Sequence, residues 1–339
     1  MTGIIPYLET LMRRQNLTAD ESSRAFQIML LGGATPAQIS AFLVALTMKG
    51  EAIDEILGGV MAIRSRAGVV ASERETIDIC GTGANSVSVL NISTLAELVV
   101  AACGVPVAKH GNRTYHHAGS AGSVLQELGV HIDGNTEQVV RSLHETNFCY
   151  LTTARFVQSM RNITPICDEI GVRTVLNLIG PLCNPVAPAY YLLGVFAPEW
   201  THPMAQILRH LGVKRAMVVH GPDGIDELSV TGPSFVTELK DGELSSYTLD
   251  PEQYGLPLAN IEALAGSDTH YNVARIRDAI DGDKGAFRDA VVLNAACALT
   301  IYGRAATIEE GIQLATIALD TGQVRYTLDK LNSLNVLDS

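Results

Sequence analysis

Three short clusters in this 339-residue chain carry side chains that could do chemistry. Asp78-Ile-Cys-Gly81-Thr82-Gly83 closes an apolar run, and Asn91-Ile-Ser93-Thr94 opens the helical pattern that follows. Glycines let a backbone approach a ligand, while hydroxyls and the unpaired N–H groups of a helix start suit phosphate oxygens. Taken alone, a Gly-Thr-Gly turn is equally what an ordinary tight turn uses. Lys109-His110-Gly111-Asn112-Arg113 ends a second apolar run, and two cations, an imidazole and an amide around a glycine suit anion recognition. The neighbouring His116 and His117 are adjacent, so they do not converge on one metal by themselves and are read as polar loop contacts. His220-Gly221-Pro-Asp223-Gly224-Ile-Asp226-Glu227 follows a third apolar run. Its clustered carboxylates need solvent or a cation, and hard oxygen ligands suit Mg2+ that stays partly hydrated on a phosphate. A calcium loop is excluded, because the remaining ligands of that motif are missing. Jointly, a phosphate-cradling turn, a basic loop and an acidic metal loop are what a diphosphate compound requires.

The elements that must position these clusters are legible in the patterning. The first 70 or so residues read as consecutive helices. Thr18 with Glu21, and Thr35-Pro36 with Gln38, are capping boxes, the second with proline at the first helical position. Apolar residues then recur at helical spacing: Phe26, Met29, Leu30; Ile39, Phe42, Leu43, Leu46; Ile53, Ile56, Leu57, Val60, Met61. From about Ile77 the pattern becomes apolar run, glycine turn, helix: IDIC then GTG, VPVAKHG, FCYLT, and AMVVHG. That repetition predicts a mostly parallel sheet with helical crossovers, so every cluster falls at the carboxyl end of a strand, where such sheets bind ligands. Ser245 to Gly255 reads as a partly antiparallel excursion, and the C-terminal third, from about Tyr271, as helices. Residues 162–185, rich in Pro and Gly, break the alternation and group with the N-terminal helices.

Composition excludes several classes. With 36 acidic against 24 basic side chains and a formal charge of −12, the chain lacks the basic excess of a general nucleic-acid binder. Its most apolar stretch, Leu95 to Ala108, is interrupted by Glu97, Gly104 and Pro106 and is too short to span a bilayer. No secretory pattern opens the sequence, which makes a cytoplasmic protein the expectation. Six cysteines lie without CxxC or Cys/His metal spacing and are read as reduced core thiols.

Asp78 to Thr94 (DICGTGANSVSVLNIST), Lys109 to Arg113 (KHGNR), Gly171 to Pro185 (GVRTVLNLIGPLCNP) and Val218 to Pro233 (VVHGPDGIDELSVTGP) together resemble the anthranilate phosphoribosyltransferase family. The similarity runs nearly end to end and includes the C-terminal DAVVLNAACALTIYG segment. It implies an α/β fold: a small all-helical domain hinged to a large domain with a mostly parallel sheet flanked by helices, related to the nucleoside phosphorylases. The expected division is residues 1–72 plus about 162–188 as the helical, dimerising and acceptor-side domain, and 73–161 plus 189–339 as the donor and metal side. The implied reaction is phosphoribosyl diphosphate plus anthranilate giving phosphoribosyl anthranilate and pyrophosphate, in a homodimer using Mg2+.

By motif match, Gly81, Gly83, Asn85, Asn91, Ser93, Thr94, Lys109, His110, Gly111, Asn112, Arg113, His117 and Cys167 would line the substrates, with Ser93, Asp226 and Glu227 at the metal. Lys109 and Asn112 would position, and no dedicated nucleophile is implied. Four departures stand out. The family's GTGGDG is here Gly81-Thr-Gly-Ala84-Asn85-Ser86, and its hydroxyl-rich NRSxSSKSGSAD is Asn112 to Ser123 with His116 and His117 as the substitute donors. The histidine of its FHPAM falls at Val157, and the arginine of its PVRxxLGxRT, which answers the acceptor carboxylate, at Cys167. Removing one member of a buried charge pair costs about 3 to 5 kcal/mol, so Arg155, Arg161 or His117 must compensate for an anthranilate acceptor. The alternative is a same-fold phosphoribosyltransferase or a nucleoside phosphorylase-like enzyme acting on another acceptor.

Overall fold

The computed structural model describes residues 3–83, 88–111 and 119–337. In chain order its helices and strands are α1 Ile5–Met12, α2 Ala19–Leu30, α3 Pro36–Lys49, α4 Ile53–Arg64, β1 Ile77–Gly81, α5 Ile92–Ala102, β2 Val107–Gly111, α6 Ala121–Glu127, α7 Thr136–Thr146, β3 Phe148–Thr152, α8 Thr153–Phe156, α9 Thr164–Ile170 and α10 Val175–Ile179. They continue with β4 Tyr190–Gly194, α11 Thr201–His210, β5 Arg215–His220, β6 Ser234–Lys240, β7 Glu243–Leu249, α12 Thr269–Ile280, α13 Ala286–Tyr302, α14 Ile308–Asp320 and α15 Gln323–Leu337. The chain divides into two compact units, Met1–Val69 with Thr153–Ala187, and Val70–Thr152 with Pro188–Ser339.

The first unit is helical. Both capping boxes form: Thr18 Oγ1 accepts from the Glu21 N–H at 3.3 Å and Thr35 Oγ1 from the Gln38 N–H at 3.3 Å, with Glu21 and Gln38 reaching back. Phe26 and Phe42, both fully buried, meet edge to face at 5.8 Å between ring centres. α4 approaches α2 so closely that a Cβ on Gly58 would stand 2.3 Å from the Ala19 carbonyl oxygen, and one on Gly59 would stand 2.4 Å from Ile179.

The rhythm of the sequence puts residues 153–161 with the large domain, as the crossover expected after FCYLT. The structure places them in the helical unit. α8 is only four residues long, the Phe156 carbonyl accepts from the Gly68 N–H at 2.7 Å, and Asn162 Nδ2 donates to the Leu30 carbonyl at 2.8 Å. The buried Phe156 and Val157 belong to that packing.

The second unit holds a sheet in the order β3-β2-β1-β4-β5-β6-β7, parallel from β3 to β5 and antiparallel at β6 and β7. The chain runs outward from β1 through β2 to β3, then returns to place β4 on the other side of β1. Strand order therefore reverses between β1 and β4, where loops on the two sides diverge and leave a crevice at the carboxyl ends. Ser245 to Leu249 does pair antiparallel, as β7 against β6, through a two-residue turn at Asp241 and Gly242 with φ 52° and 81°. Patterning does not single out β4 and β6, because YYLLG is a short run with prolines on either side and SFVTELK alternates weakly. α5 and α13 are buried along nearly their whole lengths and pack against each other, with α15 also on α5. The described cysteines are all free, with Cys149, Cys183 and Cys297 buried.

Candidate functional site

The loop after β5 lies over the crevice between β1 and β4. A Cβ on Gly194, the last residue of β4, would come 1.5 Å from the Asp226 carbonyl oxygen, and one on Gly81, the last of β1, would come 2.1 Å from Asp226 Oδ2. Both strand ends must therefore be glycine for the acidic loop to seat. Beyond them the Gly83 N–H, set by a left-handed φ of 63°, donates to Asp226 Oδ2 at 2.7 Å. The Ser93 backbone at the start of α5 acts on Glu227 and favours its charged form. The acidic loop is thus fastened to the glycine turn by a carboxylate–amide hydrogen bond, and Glu227 is set toward the start of α5, where an anion is favoured.

The third acidic residue of the loop has another task. Asp223 Oδ2 accepts from Ser229 Oγ at 2.6 Å and Thr231 Oγ1 at 2.8 Å, which closes the loop on itself. His220 is buried, with Nδ1 2.7 Å from the Val195 carbonyl and its ring beside Phe235. Glu227 keeps Oε2 buried and, among the described residues, without a hydrogen-bond partner, and its carboxyl is raised well above the usual range by burial and by Asp226 beside it. An orphaned carboxylate oxygen next to a second carboxylate fits a divalent cation, with Ser93 close by through its amide. Among the described residues no third His, Cys, Asp or Glu joins them in one cluster, so a cation here would complete its shell with substrate oxygens and water.

Asn91, read as a substrate contact, is engaged by protein. Its Nδ2 donates to the Gly119 carbonyl at 2.9 Å, and its Oδ1 accepts from Asn272 Nδ2 at 2.9 Å. The Gly119 N–H donates to Thr269 Oγ1 at 3.1 Å, so α12 ties the exit of the basic loop to the entrance of α5. Thr94 is fully buried with its hydroxyl unpartnered. Lys109 is buried, while His110 and Gly111 are half-buried at the end of β2. Gly111 lies against Tyr150, whose hydroxyl would stand 2.7 Å from a Cβ there. Asn85, Asn112, Arg113, His116 and His117 lie outside the described residues.

Gly81, Gly83, Ser93, Lys109, Asp226 and Glu227 are thus brought together at the carboxyl ends of β1 and β2. Cys167 belongs to the helical unit, half-buried on α9, with its thiol pushed up to about 11 by burial and by Asp168. Val157 is fully buried in that unit, and Arg155 and Arg161 are exposed there.

Sequence reading passes over one residue that the site cannot be described without. Glu97, in the middle of α5, is fully buried with Oε2 2.6 Å from Lys109 Nζ. Burial and the neighbouring Asp78 push its carboxyl up to about 8 against the pull of Lys109. Burial also works against the Lys109 charge, but Glu97 and then Asp78 outweigh it and hold the ammonium above its usual value. The available signal was Glu97 itself, a charge inside the most apolar run of the chain, which served only to exclude a membrane span.

Residues 73–325 match the glycosyl transferase family a/b domain, and residues 5–67 match its helical bundle domain. The anthranilate phosphoribosyltransferase of Beijerinckia indica subsp. indica is 43% identical over 334 residues, which cover 98% of this chain and 98% of that protein. The crystal structure of anthranilate phosphoribosyltransferase from Thermus thermophilus superposes with a TM-score of 0.90 at 37% identity, covering 96% of this chain and 98% of that one. The Saccharomyces cerevisiae enzyme in complex with PRPP and Mg shares the fold, with a TM-score of 0.87 at 22% identity over 98% of this chain and 97% of that one.

Proposed function

Because the chain belongs to the anthranilate phosphoribosyltransferase family, we propose that it transfers the phosphoribosyl group of phosphoribosyl diphosphate to the amine of anthranilate, releasing pyrophosphate, in the second step of tryptophan synthesis from chorismate. The observation that supports this at the level of residues is the seating of the acidic loop on the glycine turn: Asp226 accepts from the Gly83 amide, and Glu227 lies within the electrostatic reach of the start of α5 and of Lys109. That arrangement brings two carboxylates for a metal and the charge of an ammonium to one end of the sheet, as a metal-neutralised diphosphate needs.

In the reaction the amine lone pair forms the N–C bond as the C–O bond to the diphosphate breaks with its electron pair. The amine then loses its proton to solvent or to the departing diphosphate. Mg2+, when bound, neutralises the charge that builds on the leaving group. Ser93, Asp226 and Glu227 would hold it. Lys109 would meet phosphate oxygens and fix the donor in line for attack. None of these groups forms a bond to the substrate, so rate enhancement comes from positioning and fixed charge.

The helical unit exposes Ile5, Met12, Val44, Met48 and Met61 on α1, α3 and α4, which supports a homodimer through these helices. The net charge of −12 speaks against a nucleic-acid partner, and no described helix is long and apolar enough to cross a membrane. A cytoplasmic location agrees with a biosynthetic role.

The test is pyrophosphate release from phosphoribosyl diphosphate and Mg2+, with and without anthranilate, while anthranilate fluorescence is followed. Matched fluorescence loss and pyrophosphate production support the assignment, and donor binding without turnover of anthranilate overturns the acceptor. The uncharged Cys167 favours that second reading, another acceptor on the same fold. If it lines the acceptor pocket, Cys167→Arg lowers the anthranilate KM. Asp226→Ala with Glu227→Ala should cut turnover about 100-fold and flatten its Mg2+ dependence, and unaltered kinetics would remove the metal assignment.

A further inference from the structure

The middle of α5 carries a group for which the transfer reaction has no direct use. Every residue from Thr94 to Ala101 is buried, and apart from Thr94 and Glu97 all are apolar. A carboxylate in such a helix carries a heavy desolvation cost unless it is paired. An apolar residue of similar volume would serve packing as well or better, so the charge calls for a reason outside packing.

That reason is Lys109. Its Nζ stands 2.6 Å from Glu97 Oε2, with side-chain exposure of 5% for the lysine and none for the glutamate. Asp78 on β1 adds its negative charge to the same ammonium, and Lys109 in turn acts on Glu227 in the acidic loop. The ammonium is therefore held by carboxylates of the core and is felt by Glu227 of the metal loop. A buried lysine with no counter-charge gives up its proton, whereas this one is held in its charged form.

We propose that Glu97 is a positioning residue that, backed by Asp78, seats the charged Lys109 ammonium at the carboxyl ends of β1 and β2 to receive the diphosphate of the donor. This rests on the transferase reading above. An ammonium has three donors, and the contact with Glu97 uses one side of it. Among the described residues no other acid forms an ion pair with Lys109, so its remaining donors can turn to phosphate oxygens. Lysine has a flexible four-carbon stem, and fixing its end before the ligand arrives removes an ordering cost from binding.

The experiment is calorimetric titration of the full chain with phosphoribosyl diphosphate and Mg2+, together with steady-state kinetics, at about pH 8.5 where Glu97 is mostly ionised. Wild type, Glu97→Gln, Glu97→Asp, Lys109→Met and the Glu97→Gln/Lys109→Met double variant are compared after circular dichroism confirms folding. Glu97→Gln is expected to weaken the donor about tenfold in both Kd and KM, with the anthranilate KM changed less than about twofold. Glu97→Asp, which keeps the charge but retracts it, is expected to lose about threefold, and it decides the matter if the Gln variant does not fold. In the Lys109→Met background Glu97→Gln should add nothing, because the group it positions is gone.

Unchanged donor affinity in a folded Glu97 variant overturns the proposal, as does a loss of the same size with and without Lys109. Either result leaves the transferase reading intact. A wild-type chain that fails to bind phosphoribosyl diphosphate would take down that reading, and this proposal with it.

Discussion

Among the described residues two lysine–glutamate pairs are buried, one in each unit, and they are built to opposite standards. In the helical unit Lys49 Nζ meets Glu55 Oε2 at 2.9 Å, with side-chain exposures of 4% and 0%. Glu55 Oε1 also accepts from the Leu17 N–H at 2.9 Å and Oε2 from the Ala52 N–H at 2.8 Å, while Lys49 donates further to Asn16 Oδ1 at 2.8 Å and to the Gly50 carbonyl at 2.6 Å. Every direction is taken, and the pair works as a joint between α3, the start of α4 and the segment before α2. In the α/β unit the Lys109–Glu97 contact is as close and as buried, yet neither Glu97 oxygen has a well-formed hydrogen bond. Burial and distance do not separate the two; saturation does. A saturated pair has nothing left to offer a ligand, whereas an unsaturated one at the carboxyl ends of parallel strands is held ready.

The largest effect that can break this contrast is on stability. Glu55→Ala strands the Lys49 charge and orphans the amides of Leu17 and Ala52. Breaking a buried pair in this way should cost about 3 to 5 kcal/mol in urea unfolding. The fraction that remains folded should bind phosphoribosyl diphosphate with wild-type affinity. Donor affinity lost in folded material would mean that the Glu55 pair is not purely structural.

The reciprocal change is smaller and falls on function. Lys109→Met removes the ammonium but leaves Glu97 able to take up a proton, since burial already favours its neutral form. Stability should therefore fall by less than about 2 kcal/mol, below the cost at Glu55. Donor affinity should fall about 10- to 100-fold, the worth of a charge-assisted hydrogen bond to phosphate. A variant that is strongly destabilised yet binds normally would reverse the assignment of the two pairs.

How much of this is legible in the sequence divides along the same line. The capping boxes at Thr18 and Thr35, the strands that end in Gly81, Gly111 and His220, and the positions of the glycine and acidic loops are local patterns, and local patterns survive folding. What the sequence hides depends on contacts between distant segments. Glu97 and Lys109 come from a helix and a neighbouring strand, and Asn91 is held by Asn272 from far down the chain. The placement of 153–161 is misread because a four-residue helix after a strand has the rhythm of a crossover, while its partner Gly68 lies in another segment. The metal loop shows the reverse: Asp223, Asp226 and Glu227 look equivalent in sequence, and only their hydrogen bonds separate the one that closes the loop from the two that face the turn.

The smallest effect sharpens the contrast through pH. Glu97 holds its proton up to about pH 8 in the native chain, whereas an exposed glutamate in the unfolded chain loses it at its ordinary value near the mid-fours. Between those limits the native state binds more protons than the unfolded state, so stability contributed by Glu97 is present at low pH and is lost as pH rises through 8. The groups acting on Glu97 are Lys109, which favours its charge, and Asp78, which opposes it, with the Ile79 backbone adding a smaller effect in favour of the charge. Glu227 is shifted in the same direction, so the informative quantity is the difference between wild type and Glu97→Gln. From about pH 6 to 8.5, urea unfolding should show wild type losing more stability than Glu97→Gln. Over the same range donor affinity in wild type should improve relative to Glu97→Gln, because the ionised carboxylate grips Lys109 more strongly. Parallel stability curves would mean that Glu97 is ionised throughout, which would make the pair saturated in charge if not in hydrogen bonds and narrow its difference from Lys49–Glu55. Opposite trends in stability and affinity would instead mark the cost of keeping a buried charge for the sake of the ligand.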